Sequence, residues 1–233
     1  MAIRAVVFDF DGLILETEVA ILTAWREVYA EHGLTLPLEL WVETLGTAEH
    51  WFDPLTHLAE AGVQLDREEL DARRRRRHVE ILAGESPLPG VMDYLDAAPG
   101  LGLRLGVASS STHRWVDGHL ERLGIRERFA SVRCREDVAR TKPDPALYLA
   151  AAADLGVAPA EAIAIEDAPN GVRAAKSAGM FCVAVPSVLT GDLDLGQADL
   201  RLGSLAELPL ADLVRLAASP RGPASSRGSG PGG

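Results

Sequence analysis

Asp9 and Asp11 stand two positions apart in AVVFDFDGLILETE, residues 5–18, directly before Gly12. Side chains two apart on a strand point the same way, so a strand ending here delivers both carboxylates to one place. One carboxylate can then attack as a nucleophile while the other moves protons. Gly12 removes a side chain where the chain turns and a ligand would approach the backbone. Three further segments carry complementary groups. LGVASSS ends in Ser109, Ser110 and Ser111, ahead of the helix-like THRWVDGHL. Hydroxyls and backbone N–H groups at a helix start suit a phosphate. RTKPDP sets Lys142 just before a helix marked by Pro143 and Pro145. AIAIEDAPNG ends in Glu166 and Asp167, ahead of a glycine and a helix. Each segment alone also fits a plainer reading: an Asp/Gly turn, a helix N-cap, a solvated lysine, a pair of capping acids.

Short apolar runs position these groups. IRAVVFDF, LRLGVASS, ASVRC, AIAIED and FCVAVP read as buried strands. DGHLERLG, PALYLAAAADLG and GVRAAKSAG have helical spacing and close on a glycine. Strands alternating with helices imply an α/β fold, a Rossmann-like doubly wound parallel sheet whose ligands sit at the strand carboxyl ends. Residues 17–85 break the rhythm, with helices but no convincing strand. There ILTAWREVYAEHG places Leu22, Trp25, Tyr29 and His32 on one helix face, and LDREELDARRRRRHVEIL starts with Asp66 as N-cap and Glu69 three residues on. The expected organisation is a core of residues 1–16 and 86–217, a helical cap domain of residues 17–85 inserted after the first strand, and a flexible tail of residues 218–233. That tail is rich in Gly, Pro and Ser, with nothing to bury.

A hydrophobic share of 47% with 24% charged residues describes a globular chain with a substantial core. The net charge of −11 argues against general affinity for nucleic acid or an anionic membrane. An anionic small molecule binds such a chain only where a cation or local basic group reverses the field. The N-terminus places Asp9 and Asp11 where a signal peptide needs its apolar middle, and no run approaches ~18 uninterrupted apolar residues. The two cysteines, Cys134 and Cys182, read as reduced, buried thiols, with one disulfide as the alternative. These features lead to the expectation of a cytoplasmic protein, a monomer or weak dimer. Arg73 to Arg77 point all round a helix, with Glu69 and Asp71 four residues before Arg73 and Arg75, so the run reads as solvated surface. The alternative is that one arginine meets an anionic substrate. His50, Trp51 and Phe52 follow Gly46-Thr47 in a cap loop, where packing explains the aromatics and substrate selection is the alternative.

In this order, and each at a strand end or helix start, the four segments resemble the motifs of the haloacid dehalogenase superfamily. The resemblance rests on DFDG, the Ser109 segment, Lys142 in TKP and Glu166-Asp167 in EDAPNG, and spans nearly all the chain except the tail. By pattern it falls among the capped phosphatases and β-phosphoglucomutases, whose four-helix cap follows the first motif. The resemblance implies Mg²⁺-dependent hydrolysis of a small phosphorylated metabolite through an aspartyl phosphate. Asp9 would be the nucleophile and Asp11 the acid and base. Mg²⁺ would take Asp9, the backbone carbonyl of Asp11 and Asp167, with Glu166 as an additional or water-mediated ligand. Ser109, Ser110 and Lys142 would hold phosphoryl oxygens. Asp11 and Asp167 count against C–halogen cleavage, because dehalogenases lack the second aspartate and work without Mg²⁺. Glu16 stands where the subgroup commonly has aspartate. β-Phosphoglucomutases carry a histidine in the first cap helix and an arginine in the cap; Ile21 and Glu49 occupy those places here. Both differences favour a phosphatase over a mutase, which stays the alternative, with a non-catalytic binding module as a third reading. Ser111 and His113 read as helix-start caps, or else as contacts to a distal polar group.

Overall fold

The computed structural model describes residues 2–42, 52–191 and 193–219. Strand β1 (Ala5–Phe8) is apolar throughout because both its faces are covered. Val6 and Phe8 enter one core cluster, Ala5 and Val7 the other, which is the two-residue alternation of a strand sandwiched between helices. β2 (Arg104–Ala108), β3 (Ser131–Arg133), β4 (Ala162–Glu166), β5 (Phe181–Ala184) and β6 (Leu200–Arg201) complete a parallel six-stranded sheet in the order β3-β2-β1-β4-β5-β6. The strand order reverses at β1, which places a crevice at its carboxyl end. Phe8 pairs with Val107 on one side and Ile165 on the other, so Asp9 leaves the sheet level with Ala108 and Glu166.

Helices α5 (Val91–Gly100), α6 (His113–Arg122) and α9 (Leu210–Ala218) cover the Phe8 face through Leu95, Leu120 and Leu213. Helices α7 (Ala146–Asp154) and α8 (Pro169–Ser177) cover the other through Leu147, Ala151 and Val172. The five strands and three core helices read from the sequence are all present. β6 escapes a sequence reading because two residues at a sheet edge are too short to show a period.

A helical insertion follows β1: α1 (Glu18–Glu31), α2 (Leu38–Val42), α3 (Pro54–Glu60) and α4 (Arg67–Ala83). It has its own apolar cluster, including Leu22, Trp25, Tyr29, Phe52, Leu58 and Leu70. Asp66 caps α4, its carboxylate accepting from the N–H groups of Glu68 and Glu69. His32 departs from expectation: α1 ends at Glu31, Gly33 turns the chain at φ +68, and His32 is exposed. Phe52 packs in the cap core, 5.7 Å from the His57 ring; Glu49, His50 and Trp51 lie outside the described residues.

The arginine run lies on solvated surface as expected, with Arg73, Arg75, Arg76 and Arg77 exposed, but its pairing partners differ from the expected ones. Asp71 does pair with Arg75 at 2.7 Å. Arg73, however, reaches Glu31 of α1 at 2.5 Å rather than Glu69, and Arg77 reaches Glu27 of α1 at 2.7 Å. Arg74 lies 5.2 Å from the Trp25 ring centroid. The neighbouring helix presents its acids along this edge, so cross-helix pairing wins. Such half-exposed pairs contribute less than ~1 kcal/mol each. Cys134 and Cys182 are free, buried thiols in different core clusters. No helix among the described residues is long and apolar enough to cross a membrane.

Candidate active site

The carboxyl ends of β1 and β4 bring Asp9, Glu166 and Asp167 together, all three buried. One oxygen from each lies within 4.8 Å of the others. Lys142, arriving on the segment before α7, puts its Nζ 2.5 Å from Asp9 Oδ1 and 2.6 Å from Glu166 Oε1. Tyr148 of α7 donates its hydroxyl to Glu166 as well. Two glycines make this crowding possible. A β-carbon on Gly12, at φ +75, would lie 2.4 Å from Asp167 Oδ2. A β-carbon on Gly171, inside α8, would lie 1.9 Å from the Glu166 carboxylate. The nearest group to a β-carbon placed on Gly12 is therefore a protein carboxylate.

Three acids around one ammonium leave surplus negative charge in a buried place. Burial raises Asp9 to about 7 against the pull of Lys142, with Glu166 and Asp11 adding to the rise. Burial also pushes Asp167 well above the usual carboxylate range, reinforced by Asp9 and Glu166. Burial opposes the charge on Lys142, but the carboxylates of Asp9 and Glu166 outweigh it and hold the ammonium protonated. Clustered carboxylate oxygens with uncompensated charge suit a hard divalent cation, so Asp9, Glu166 and Asp167 fit a metal site.

Asp11 lives differently. Its Oδ1 accepts from Thr17 Oγ1 at 2.9 Å and from Trp115 Nε1 at 2.8 Å. Its Oδ2 accepts from Ser111 Oγ at 2.6 Å and from Ser109 Oγ at 3.4 Å. Every one of these partners is neutral, and the carboxylate stands outside the three-acid cluster. The two aspartates that leave β1 together thus serve separate environments, one ionic and one built from hydroxyls and an indole.

The serine segment is resolved residue by residue. Ser109 is fully buried and accepts from the Ser111 N–H at 3.0 Å. The Ser110 hydroxyl has no hydrogen-bond partner among the described residues; its carbonyl accepts from Arg135 Nε at 3.3 Å. Neither Ser111 nor His113 caps α6 with its side chain, contrary to the cap reading. The His113 N–H donates to the Glu136 carboxylate, while its ring nitrogens lie 2.8 Å from Asp117 and Asp137. Two nearby acids are available to the imidazole, and they draw it away from the helix start. Glu16 accepts from the Val19 N–H at 3.2 Å, so its carboxylate satisfies a backbone donor in the first turn of α1.

The sequence reading passed over Thr17, Glu18, Trp115, Tyr148 and His78. Burial, then Asp11, Glu16 and Asp9, raises the Glu18 carboxyl to about 8; its acid next to Thr17 was the available signal. His78 of α4 is buried against the Trp115 ring at 5.2 Å, and Trp115 meets His119 edge-on at 4.4 Å. Nothing in the local pattern of these residues announces such contacts.

Comparison with known proteins agrees with this arrangement. The family model for haloacid dehalogenase-like hydrolases matches residues 3–179. YhcW of Bacillus subtilis (strain 168) is 47% identical over 213 residues, covering 91% of this chain and 96% of that protein. Hexitol phosphatase B of Escherichia coli (strain K12) is 31% identical, covering 91% of this chain and 97% of the enzyme. The crystal structure of CbbY from Rhodobacter sphaeroides in complex with phosphate superposes with a TM-score of 0.72 at 32% identity, covering 91% and 99% of the two chains.

Proposed function

The chain belongs to the haloacid dehalogenase-like hydrolases, as a phosphatase of small phosphorylated molecules, and we propose that it hydrolyses a sugar phosphate with Mg²⁺ through an aspartyl phosphate on Asp9. The observation that carries this reading is the convergence of Asp9, Lys142, Glu166 and Asp167 at one strand end, with Asp11 beside them on neutral donors.

In the proposed reaction Asp9 attacks phosphorus in line, and the bond from phosphorus to the sugar oxygen breaks. Asp11 gives its proton to the departing oxygen. It then takes a proton from the water that attacks the phosphoaspartate, releasing phosphate and restoring Asp9. Lys142 and Ser109 bind phosphoryl oxygens and offset the charge that develops on them. Asp9, Asp167, Glu166 and the Asp11 carbonyl would hold Mg²⁺, which would supply the positive charge that lets an anionic nucleophile meet an anionic ester. Similarity to a hexitol phosphatase supports a phosphorylated polyol or sugar as substrate. Ile21 in α1 offers no acid–base group where a mutase has histidine, which favours hydrolysis over phosphoryl return.

A sugar phosphate panel with and without Mg²⁺ tests the proposal. Phosphate release that EDTA removes and Asp9→Asn abolishes is expected. Full activity of Asp9→Asn, or interconversion of glucose phosphates without phosphate release, overturns it.

A further inference from the structure

We propose that Trp115 is a positioning residue for Asp11, an inference that rests on the acid–base role given to Asp11 above. Trp115 lies in the first turn of α6 and donates its indole N–H to Asp11 Oδ1 at 2.8 Å. Two neighbouring rings restrain the aim of that N–H. His119, one turn along the same helix, meets the ring edge-on at 4.4 Å, and His78 of cap helix α4 packs on it at 5.2 Å. A ring held between two others has little freedom to swing, so the N–H is a rigid donor rather than one of several rotamers.

The other donors to Asp11 are weaker guides to its orientation. Thr17, Ser109 and Ser111 all offer hydroxyls, whose protons rotate to follow the carboxylate. The indole N–H has one direction only, and it holds Oδ1. Among the described residues Asp11 has no ion-pair partner, unlike Asp9 with Lys142. Loss of the indole N–H leaves the carboxylate plane held by hydroxyls alone. Because His78 belongs to the cap, the cap also backs this donor, so the position of α4 and the orientation of Asp11 are mechanically linked.

Trp115→Phe deletes the N–H and keeps a ring between His78 and His119. The test compares kcat/KM for a sugar phosphate and for p-nitrophenyl phosphate in wild type, Trp115→Phe and Asp11→Asn. A sugar alkoxide must be protonated as it leaves, whereas p-nitrophenolate departs readily without help. A misplaced acid therefore slows the sugar phosphate selectively. We expect Trp115→Phe to lower kcat/KM about tenfold for the sugar phosphate and less than about twofold for the aryl ester, with Asp11→Asn showing a wider gap in the same direction. Because a misfolded fraction lowers both activities equally, the ratio is independent of how well the variant folds. Equal effects on both substrates in Trp115→Phe, with discrimination kept in Asp11→Asn, overturn the positioning role alone. Equal effects in Asp11→Asn overturn the acid–base role of Asp11 and the inference with it.

Discussion

Gly12 and Asp167 are in such close approach that a β-carbon on the glycine would lie 2.4 Å from Asp167 Oδ2. The glycine also sits at φ +75, a conformation that costs an L-residue roughly 1–2 kcal/mol. Gly12→Ala should therefore act on the neighbouring acid as well as on the turn. Asp167 must move, and the cluster it shares with Asp9 and Glu166 opens. We expect half-maximal activity to need at least ~10-fold more Mg²⁺, in line with losses on disturbing groups that orient a metal ligand. Activity titrated against Mg²⁺ checks this; an unchanged midpoint would show that Asp167 is not a ligand.

Gly171 gives a sharper prediction because its ordinary expectation has the opposite sign. Alanine inside a helix normally stabilises by ~1 kcal/mol relative to glycine. Here its methyl would meet the Glu166 carboxylate at 1.9 Å. Glu166 is buried and bound to Lys142 and Tyr148, so it has no solvent to retreat into. Gly171→Ala should lower the thermal midpoint, and calorimetry showing a rise would contradict the close packing at this end of α8.

How much of this was open to sequence reasoning depends on where each residue's partner lies in the chain. Asp9 and Asp11 declare themselves because strand alternation is local: two residues apart means one side of the strand. Lys142, Glu166 and Asp167 are reached through the family resemblance that the four ordered segments carry, since each alone also fits a plainer reading. Trp115 cannot be found this way. It meets Asp11 across 104 positions, through a helix whose rotation no local pattern specifies. Tyr148 reads as one more apolar position in PALYLAAAADLG, although its hydroxyl reaches Glu166. The pairing of Arg73 with α1 was hidden by Glu69 within α4, which satisfied the local rule equally well. Local periodicity thus reveals the elements and the groups they deliver, while the partners of those groups come from packing.

Lys142 is the sole ammonium bonded to the Asp9 and Glu166 carboxylates among the described residues, and it is itself buried. Removing one member of a buried ionic group costs ~3–5 kcal/mol, because the charges left behind lose their partner without regaining water. Lys142→Met should lose ~3 kcal/mol in urea unfolding measured in EDTA. Added Mg²⁺ should restore part of that stability by neutralising the same carboxylates, yet leave activity lost, since the phosphoryl oxygens still lack the ammonium. A variant as stable as wild type in EDTA would mean that the acids are not ionised around Lys142.

His78 predicts an acid-sensitive cap contact. Burial, reinforced by the Arg74 guanidinium, pushes its imidazole down to about 4 from an ordinary 6.5. Its Nε2 has no hydrogen-bond partner among the described residues, and the Thr17 backbone and Asp11 offset the effect of burial only in part. In the unfolded chain the ring protonates near 6.5, and between that value and about 4 the unfolded state binds more protons. Stability contributed by neutral His78 is therefore complete above pH 6.5 and is lost as the pH falls toward 4. The full effect is on the order of 2–3 kcal/mol. His78→Phe keeps a ring against Trp115 but has no proton to gain. Unfolding free energies of the two proteins should run parallel above neutrality and diverge on acidification, the variant gaining on wild type by roughly 2 kcal/mol at low pH. Curves that stay parallel down to pH 4 would place the imidazole in contact with water, and with it the α4 end of the cap away from Trp115.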